Sequence, residues 1–136
     1  MIRVFLQKKV HGINMEQNLT NIIGVGTLVG KKAIDFTSKM FHQNKFKDIK
    51  LSSLKGKWVV LAFYPGDFTF ICPTELSRFA DLYEDFKKMN VEVLSVSTDS
   101  EHVHKAWWDN SEAIKKIQYP MIADTSGKIS KMYGVY

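Results

Sequence analysis

The residue of this sequence most suited to covalent chemistry is its only cysteine, Cys72, which is followed directly by Pro73. Proline is tolerated in the first turn of a helix, where its missing N–H leaves no hydrogen bond unmade, so this pair predicts that a helix begins at the cysteine. Unpaired backbone N–H groups and the positive end of the helix dipole favour the thiolate there, and the thiolate is the nucleophilic form of the side chain. We therefore expect a reactive thiol at position 72.

A threonine and a proline that precede the cysteine complete a candidate site. Thr69 lies three positions before Cys72, from where a hydroxyl can cap the helix and hydrogen-bond the sulfur or an oxygen bound to it. Pro65 follows a hydrophobic run and is placed to close one side of a small pocket over the thiol. A lone cysteine is more often a small buried hydrophobic residue, but the pattern Pro-x-x-x-Thr-x-x-Cys favours the reactive interpretation.

The elements around this segment predict an α/β fold with parallel strands and flanking helices. Apolar, β-branched runs at 58–64 and 91–97 are typical of strands buried on both faces of a sheet. Between them, apolar residues recur at three- and four-residue spacing over 73–89, which predicts one long amphipathic helix. The order strand, helix, strand implies a right-handed crossover and a parallel strand pair, with the cysteine at the strand-to-helix junction.

Shorter elements are predicted on both sides of this unit. Alternating apolar and polar residues over 33–51, around a turn at residues 42–44, predict an N-terminal hairpin. Thr98 and Glu101 have capping-box spacing and predict a helix over 102–109. The remaining predicted elements are a turn or two of helix at 111–117, a strand at 119–123, a turn at 124–127 and a helix from 128 to 133 that Gly134 caps.

Length and composition describe one ordinary domain in a reducing compartment. The 136 residues are 45% hydrophobic, which suits one core and is short for two domains. One cysteine cannot form an intrachain disulfide, and no apolar run is long enough for a secretion signal or a membrane span, so we expect a cytoplasmic location. Residues 1–14 lack the Arg-rich, Ser-rich composition of a mitochondrial leader, and we expect a flexible arm or an upstream extension there.

The other charged and titratable residues indicate no second site. The net charge of +5 comes mostly from lysines scattered over the whole sequence, which is typical of a solvated surface rather than a nucleic-acid interface. His102 and His104 are two positions apart on a predicted helix and face different sides, while His11 and His42 are remote. We expect surface or local polar contacts for these histidines and no metal site. No glycine-rich segment has the context of a phosphate loop, so no cofactor is expected.

The segment around the cysteine resembles that of a known family. Residues 63–76, Phe-Tyr-Pro-Gly-Asp-Phe-Thr-Phe-Ile-Cys-Pro-Thr-Glu-Leu, closely resemble the active-site segment of the typical two-cysteine peroxiredoxins, the group that includes the peroxidase subunit of alkyl hydroperoxide reductase. The resemblance continues through Leu54-Lys-Gly-Lys-Trp-Val-Val, Ser95-Val-Ser-Thr-Asp-Ser and Tyr133-Gly-Val. It implies a thioredoxin-like peroxiredoxin domain over residues 28–136 and a thiol peroxidase that reduces hydrogen peroxide and alkyl hydroperoxides.

The resemblance also implies a role for each residue of the segment. Cys72 is the peroxidatic cysteine, which attacks the peroxide O–O bond and becomes a sulfenic acid. Thr69 orients the peroxide, Pro65 shields the sulfenic acid, and the Glu75 carboxylate helps to organise the pocket. The implied partners are a peroxide, an external thiol reductant (thioredoxin or a dedicated flavoprotein reductase) and further copies of the chain in a dimer-based oligomer. No nucleic acid, membrane, metal or cofactor is implied.

The sequence departs from the family pattern near its end. The family's pocket arginine and resolving cysteine lie beyond the Tyr-Gly-Val segment, and Arg3 and Arg78 match neither position. The last two strands and the closing helix of the fold would also be absent, which predicts a bare sheet edge. We therefore expect a C-terminally truncated chain, in which Cys72 reacts with peroxide faster than an ordinary thiol but well below the rate of a complete family member.

Two other interpretations stay open. The chain can be a non-catalytic, thioredoxin-like interaction module that associates through its incomplete sheet edge. It can instead be a one-cysteine peroxidase whose sulfenic acid is resolved by a small thiol. A thioredoxin or a disulfide isomerase is excluded, because either would need a second cysteine at the position of Glu75.

Overall fold

The computed structural model describes residues 3–7, 28, 30–70 and 72–136, and for residues 3–7 and Cys72 it describes the backbone. No helix among these residues is long and apolar enough to cross a membrane. The elements, in chain order, are β1 (Arg3–Gln7), β2 (Thr37–His42), β3 (Lys45–Lys50), a 3-10 turn (Leu51–Leu54), β4 (Trp58–Phe63), α1 (Cys72–Asp81), α2 (Tyr83–Lys88), β5 (Val91–Ser97), α3 (Glu101–Asn110), α4 (Glu112–Lys115), β6 (Met121–Ala123) and α5 (Lys128–Met132).

The described strands form one mixed sheet in the order β1-β4-β5-β6-β2-β3. Its centre, β4-β5-β6, is parallel, while β1 and the β2–β3 hairpin are antiparallel to their neighbours. β4 and β5 are apolar along nearly their whole length because both of their faces are buried. The predicted α/β architecture, with an N-terminal hairpin, a parallel strand pair and flanking helices, is confirmed.

The sheet separates two hydrophobic cores. Successive side chains of a strand point to opposite faces, so Val60 and Val93 enter one core while Leu61 and Leu94 enter the other. The first core packs beneath α1 to α4, and the second packs beneath α5 and the segment that leads into β2. Helices cover β4 and β5 on both faces, and these two strands carry the segments on which the candidate site is built.

The hairpin turn and the last helix end as the sequence predicts. Gln43 and Asn44 both have positive φ, of 49° and 59°, and form a two-residue turn whose twist matches that of paired strands. Gly134, with φ of 66°, follows α5 and donates its N–H to the carbonyl of Lys131 (3.1 Å).

The helix predicted over 73–89 is divided in the structure. α1 ends at Asp81, and Leu82, with φ −96° and ψ 2°, separates it from α2. A buried tyrosine, Tyr83, begins α2 directly after the break. The Tyr83 hydroxyl donates to Glu92 on β5 (2.6 Å), and its ring packs edge-on against Tyr119. Helical periodicity is retained on both sides of the break, which is why the sequence pattern does not show it.

Residues 3–7 lie in the sheet, whereas the sequence predicts a flexible arm or an extension over 1–14. Arg3 pairs with Phe63 and Gln7 with Val59, so β1 lies along five of the six residues of β4. Unpaired N–H and C=O groups at a strand edge favour pairing with any available strand, and here β1 satisfies them. The edge that the sequence predicts to be bare is therefore covered. The rest of the predicted arm lies outside the described residues.

The cap of α3 also differs from the sequence prediction. The Ser100 hydroxyl, and not that of Thr98, accepts a helix N–H, that of Val103 (3.3 Å). We expect Ser100→Ala to lower the free energy of unfolding by about 1 kcal/mol, because an N-cap oxygen is lost. Thr98→Ala should change the free energy of unfolding by less than about 0.5 kcal/mol. Urea denaturation measures both variants. A larger effect of Thr98→Ala would mean that the predicted capping box forms after all.

Tyr133 is expected to make the folded chain less stable at alkaline pH. Its hydroxyl donates to the carbonyl of Ile34 (2.8 Å), and burial raises its pKa to about 12 from 10.0. Because this pKa is higher in the folded chain than in the unfolded one, its contribution is complete below pH 10 and is lost as pH rises towards 12. We expect Tyr133→Phe to remove this part of the loss of stability above pH 10. At neutral pH the variant should have a free energy of unfolding about 1 kcal/mol lower than the wild type, because the hydrogen bond is lost. Urea midpoints that fall in parallel for both chains above pH 10 would contradict this assignment.

Candidate active site

Cys72 is the first residue of α1, as its position before Pro73 predicts. It follows the loop that begins at Tyr64, after the carboxyl end of β4, which is the edge at which open α/β sheets usually place their sites. α1 is ten residues long. Its first N–H groups have no helical partner, and its dipole is positive at this end, so both features favour a thiolate over a neutral thiol.

Asp67 anchors the middle of this loop. Its backbone N–H donates to Oδ2 of Asp99 (2.7 Å), at the end of β5. Its own carboxylate accepts from the Tyr64 hydroxyl through Oδ1 (2.6 Å) and contacts Nδ1 of His104 through Oδ2 (2.7 Å). The side chains of Asp67 and His104 are fully buried. The loop is thus attached to the ends of two parallel strands and to α3.

Both ring nitrogens of His104 face oxygen atoms of the protein. Nε2 lies 3.1 Å from the carbonyl oxygen of Ile122, and Nδ1 faces the Asp67 carboxylate. A carbonyl and a carboxylate only accept hydrogen bonds, so an imidazolium paired with a carboxylate satisfies both contacts. Burial, with the Asp67 carboxylate adding to it, raises the pKa of Tyr64 well above its ordinary value, which keeps this phenol a donor. The sequence predicts surface or local polar contacts for the histidines and misses this buried pair.

Thr69 makes its hydrogen bond within the loop. Its hydroxyl donates to the carbonyl of Gly66 (2.8 Å), instead of capping α1 as the sequence suggests. The proton of the hydroxyl is thereby fixed, and the oxygen keeps lone pairs that can accept a hydrogen bond. An oxygen in this state suits a ligand that offers an O–H, as a hydroperoxide does.

The residue before Thr69 has a strained backbone. Phe68 has φ of 57°, a conformation that costs a bulky residue about 1–3 kcal/mol. Its ring packs against Trp107 on α3, and Trp107 stacks on Tyr64 (6.1 Å between ring centroids in each case). Phe70 is fully exposed. Packing against Trp107 and the hydrogen bonds of Asp67 together hold the loop in a conformation that its sequence alone would not favour.

Pro65 lies beside an open cleft of about 480 Å³. Of the predicted site residues with a described side chain, it is the one that lines this cleft. Glu75 is exposed in the first turn of α1, and Arg78 is exposed in the last turn of the same helix. The cleft is lined by Phe63, Tyr64, Pro65, Thr98, Ser130, Val135 and Tyr136.

Within the described part of the chain, no cluster of three His, Cys, Asp or Glu side chains is arranged to hold a metal ion. The site consists of one cysteine at a helix start and a loop fixed by buried hydrogen bonds. A thiol in this place, on a sheet with helices on both faces, defines a thioredoxin-like protein. Over residues 29–136 the chain matches the AhpC/TSA family, and it belongs to that family.

The chain is similar to proteins named as a peroxiredoxin and as alkyl hydroperoxide reductase C. The chain is 52% identical over 112 residues to the selenocysteine-containing peroxiredoxin PrxU of Peptoclostridium acidaminophilum, which covers 79% of this chain and 55% of that protein. It is 48% identical over 109 residues to alkyl hydroperoxide reductase C of Bacillus subtilis, covering 80% and 58%. The chain therefore spans somewhat more than half the length of these relatives.

Solved structures agree with this assignment. The crystal structure of Enterococcus faecalis AhpC superposes with a TM-score of 0.78 at 43% identity, covering 81% of this chain and 66% of that one. The reduced 2-Cys peroxiredoxin of Plasmodium vivax gives a TM-score of 0.78 at 37% identity, covering 82% and 60%.

Proposed function

We propose that this chain is a thiol peroxidase that reduces hydrogen peroxide and alkyl hydroperoxides at Cys72. One observation carries the proposal: the only cysteine of an AhpC/TSA family chain is the first residue of a helix that follows a central parallel strand. A helix start lowers the free energy of a thiolate relative to a thiol, and the thiolate is the species that attacks a peroxide.

The chemical step is a two-electron oxidation of sulfur. The Cys72 thiolate attacks one peroxide oxygen, an S–O bond forms, and the O–O bond breaks. The attacked oxygen stays on sulfur with its hydrogen, so Cys72 becomes a sulfenic acid. The leaving oxygen keeps the bonding pair, takes a proton from solvent and departs as water or as an alcohol. Sulfur is oxidised and the peroxide is reduced, so the step needs no other redox group.

Three neighbours assist this step in the proposed site. Thr69, with its proton held by Gly66, accepts the O–H of the peroxide and orients its O–O bond towards sulfur. Pro65 shields the sulfenic acid from solvent on the side of the cleft. Glu75, in the first turn of α1, supplies the carboxylate that helps to organise the polar side of the pocket.

The catalytic cycle requires a second thiol. The 136 residues contain one cysteine, so the reductant of the sulfenic acid comes from outside them, as thioredoxin or a dedicated flavoprotein reductase. We further propose that residues 28–136 form the peroxiredoxin domain, that it assembles as a dimer-based homo-oligomer, and that it acts in the cytoplasm, where thiols stay reduced. The role is antioxidant defence and redox homeostasis.

A sulfenic-acid trap tests the proposal directly. The reduced 136-residue chain is treated with one equivalent of hydrogen peroxide in the presence of dimedone, and the adduct is located by mass spectrometry of peptides. We expect the adduct at Cys72 in the folded wild type and none in Cys72→Ser. A folded wild-type chain that forms no adduct would favour a thioredoxin-like interaction module instead. Circular dichroism before the reaction establishes that both chains are folded.

A further inference from the structure

The loop that carries Pro65 and Thr69 depends on a carboxylate from another strand. Asp99 follows β5, and its Oδ2 accepts the backbone N–H of Asp67 (2.7 Å). Asp67 lies between the two predicted site residues, so the position of its peptide plane fixes the chain on both sides. The sequence analysis assigns no role to Asp99, because thirty-two residues separate it from the loop.

Asp99 is itself held firmly. The Ser97 hydroxyl donates to Oδ2 (3.1 Å), and the same hydroxyl oxygen accepts the backbone N–H of Asp99 (3.1 Å). Ser97 is buried at the end of β5, a strand paired on both sides. Asp99 is therefore held by Ser97, which lies on a strand that is hydrogen-bonded on both sides.

The carboxylate is also close to Gly66. A Cβ atom placed on Gly66 would lie 3.3 Å from Oδ2 of Asp99, which is tighter than ordinary contact. The carbonyl of Gly66 is the group that accepts the Thr69 hydroxyl (2.8 Å). The N–H of Asp67 that Asp99 accepts and the Gly66 carbonyl that accepts the Thr69 hydroxyl belong to the same peptide unit, so Asp99 holds the peptide that orients Thr69.

We propose that Asp99 is a positioning residue for peroxide reduction, acting through the loop that places Thr69 beside Cys72. This inference rests on the proposed function. Asp99 supplies a hydrogen-bond acceptor to the backbone of Asp67, and its negative charge is incidental to that task. A misplaced hydroxyl slows a reaction that needs an oriented O–O bond, but it has little effect on a reaction that needs only an accessible thiolate.

Asp99 could act through its hydrogen-bond acceptor or through its charge, and the two roles predict opposite effects on the rates of Cys72. Removing a negative charge near the site would favour the thiolate and speed every reaction of Cys72. Removing the acceptor would release the loop and slow the peroxide reaction alone. Asp99→Asn keeps an acceptor oxygen without the charge, and Asp99→Ala loses both. The pair of variants therefore separates positioning from electrostatics.

The test compares two reactions of the same thiol in the reduced 136-residue chain. Second-order rate constants are measured with hydrogen peroxide, by competition, and with iodoacetamide, by alkylation. We expect Asp99→Ala to react about ten-fold more slowly with peroxide and within about two-fold of the wild type with iodoacetamide. Asp99→Asn should recover most of the peroxide rate. The matched control Asp48→Ala, a carboxylate that is 65% exposed on β3, should leave both rates unchanged.

The possible outcomes are distinct. Equal peroxide rates for Asp99→Ala and the wild type would overturn the proposal, as would a parallel fall of both reactions or a rise in both. If Asp99→Ala does not fold, Ser97→Ala takes its place, with an expected loss of about three-fold in the peroxide rate only. A wild-type chain that forms no sulfenic acid would refute the proposed function, and the role of Asp99 in peroxide reduction would be refuted with it.

Discussion

A Thr69→Val chain should react with hydrogen peroxide about one hundred-fold more slowly than the wild type, the loss typical of removing one aligned polar group from a transition state. Valine has nearly the shape of threonine, so the packing of the loop is retained. It cannot donate to the carbonyl of Gly66 or accept the O–H of a peroxide. The second-order rate constant of the reduced chain, measured by stopped flow or by competition, reports the effect.

Thr69→Ser is the matched control for this prediction. Serine restores the hydroxyl without the methyl group, and we expect a peroxide rate within about five-fold of the wild type. Alkylation of Cys72 by iodoacetamide should be nearly the same in all three chains, since that reaction needs no oriented oxygen. A valine variant as fast as the wild type towards peroxide would show that the hydroxyl takes no part in the reaction.

The largest effect on stability is expected at His104. Replacing it by leucine keeps the ring's volume approximately but leaves the Asp67 carboxylate fully buried without its cation. Breaking a buried ion pair on one side typically costs about 3–5 kcal/mol, and we expect His104→Leu to lower the free energy of unfolding by that amount at neutral pH. Urea denaturation followed by circular dichroism measures it.

The double variant Asp67→Asn/His104→Leu separates the charge from the packing. An asparagine in place of Asp67 is neutral and still accepts the Tyr64 hydroxyl, so no charge remains buried. We expect the double variant to be more stable than His104→Leu alone by about 1 kcal/mol or more. If the free energy of unfolding of His104→Leu lies within about 1 kcal/mol of the wild-type value, the pair is not an imidazolium and a carboxylate in the folded chain.

Much of this fold follows from patterns that are local in sequence. The apolar runs that became β4 and β5 are continuous because both strand faces are buried, and the start of α1 follows from proline after cysteine. Gly134 ends its helix because glycine adopts positive φ without strain. Each signal lies within the element that it specifies, so a short stretch of sequence is enough to predict that element.

The features that the sequence did not reveal are those made by residues far apart in the chain. The contact of Asp67 with His104 spans thirty-seven residues, and that with Asp99 spans thirty-two. An aspartate in a loop and a histidine on a helix each have an ordinary solvated alternative, so neither residue type indicates its partner. The choice of Ser100 over Thr98 as a cap, and the pairing of β1 with β4, likewise depend on where the chain lies in space.

The lysines of β3 have a consequence for how copies of this chain can associate. β3 is the outermost strand on its side of the described sheet, and it carries Lys45, Lys47 and Lys50 on exposed positions. Its acid, Asp48, is held by Lys39 of the neighbouring strand (2.8 Å). A second molecule docking strand to strand would bring these cations against its own, and like charges across a strand pair are unfavourable. Repulsion between neighbouring molecules thus keeps this edge of the sheet from growing into an aggregate.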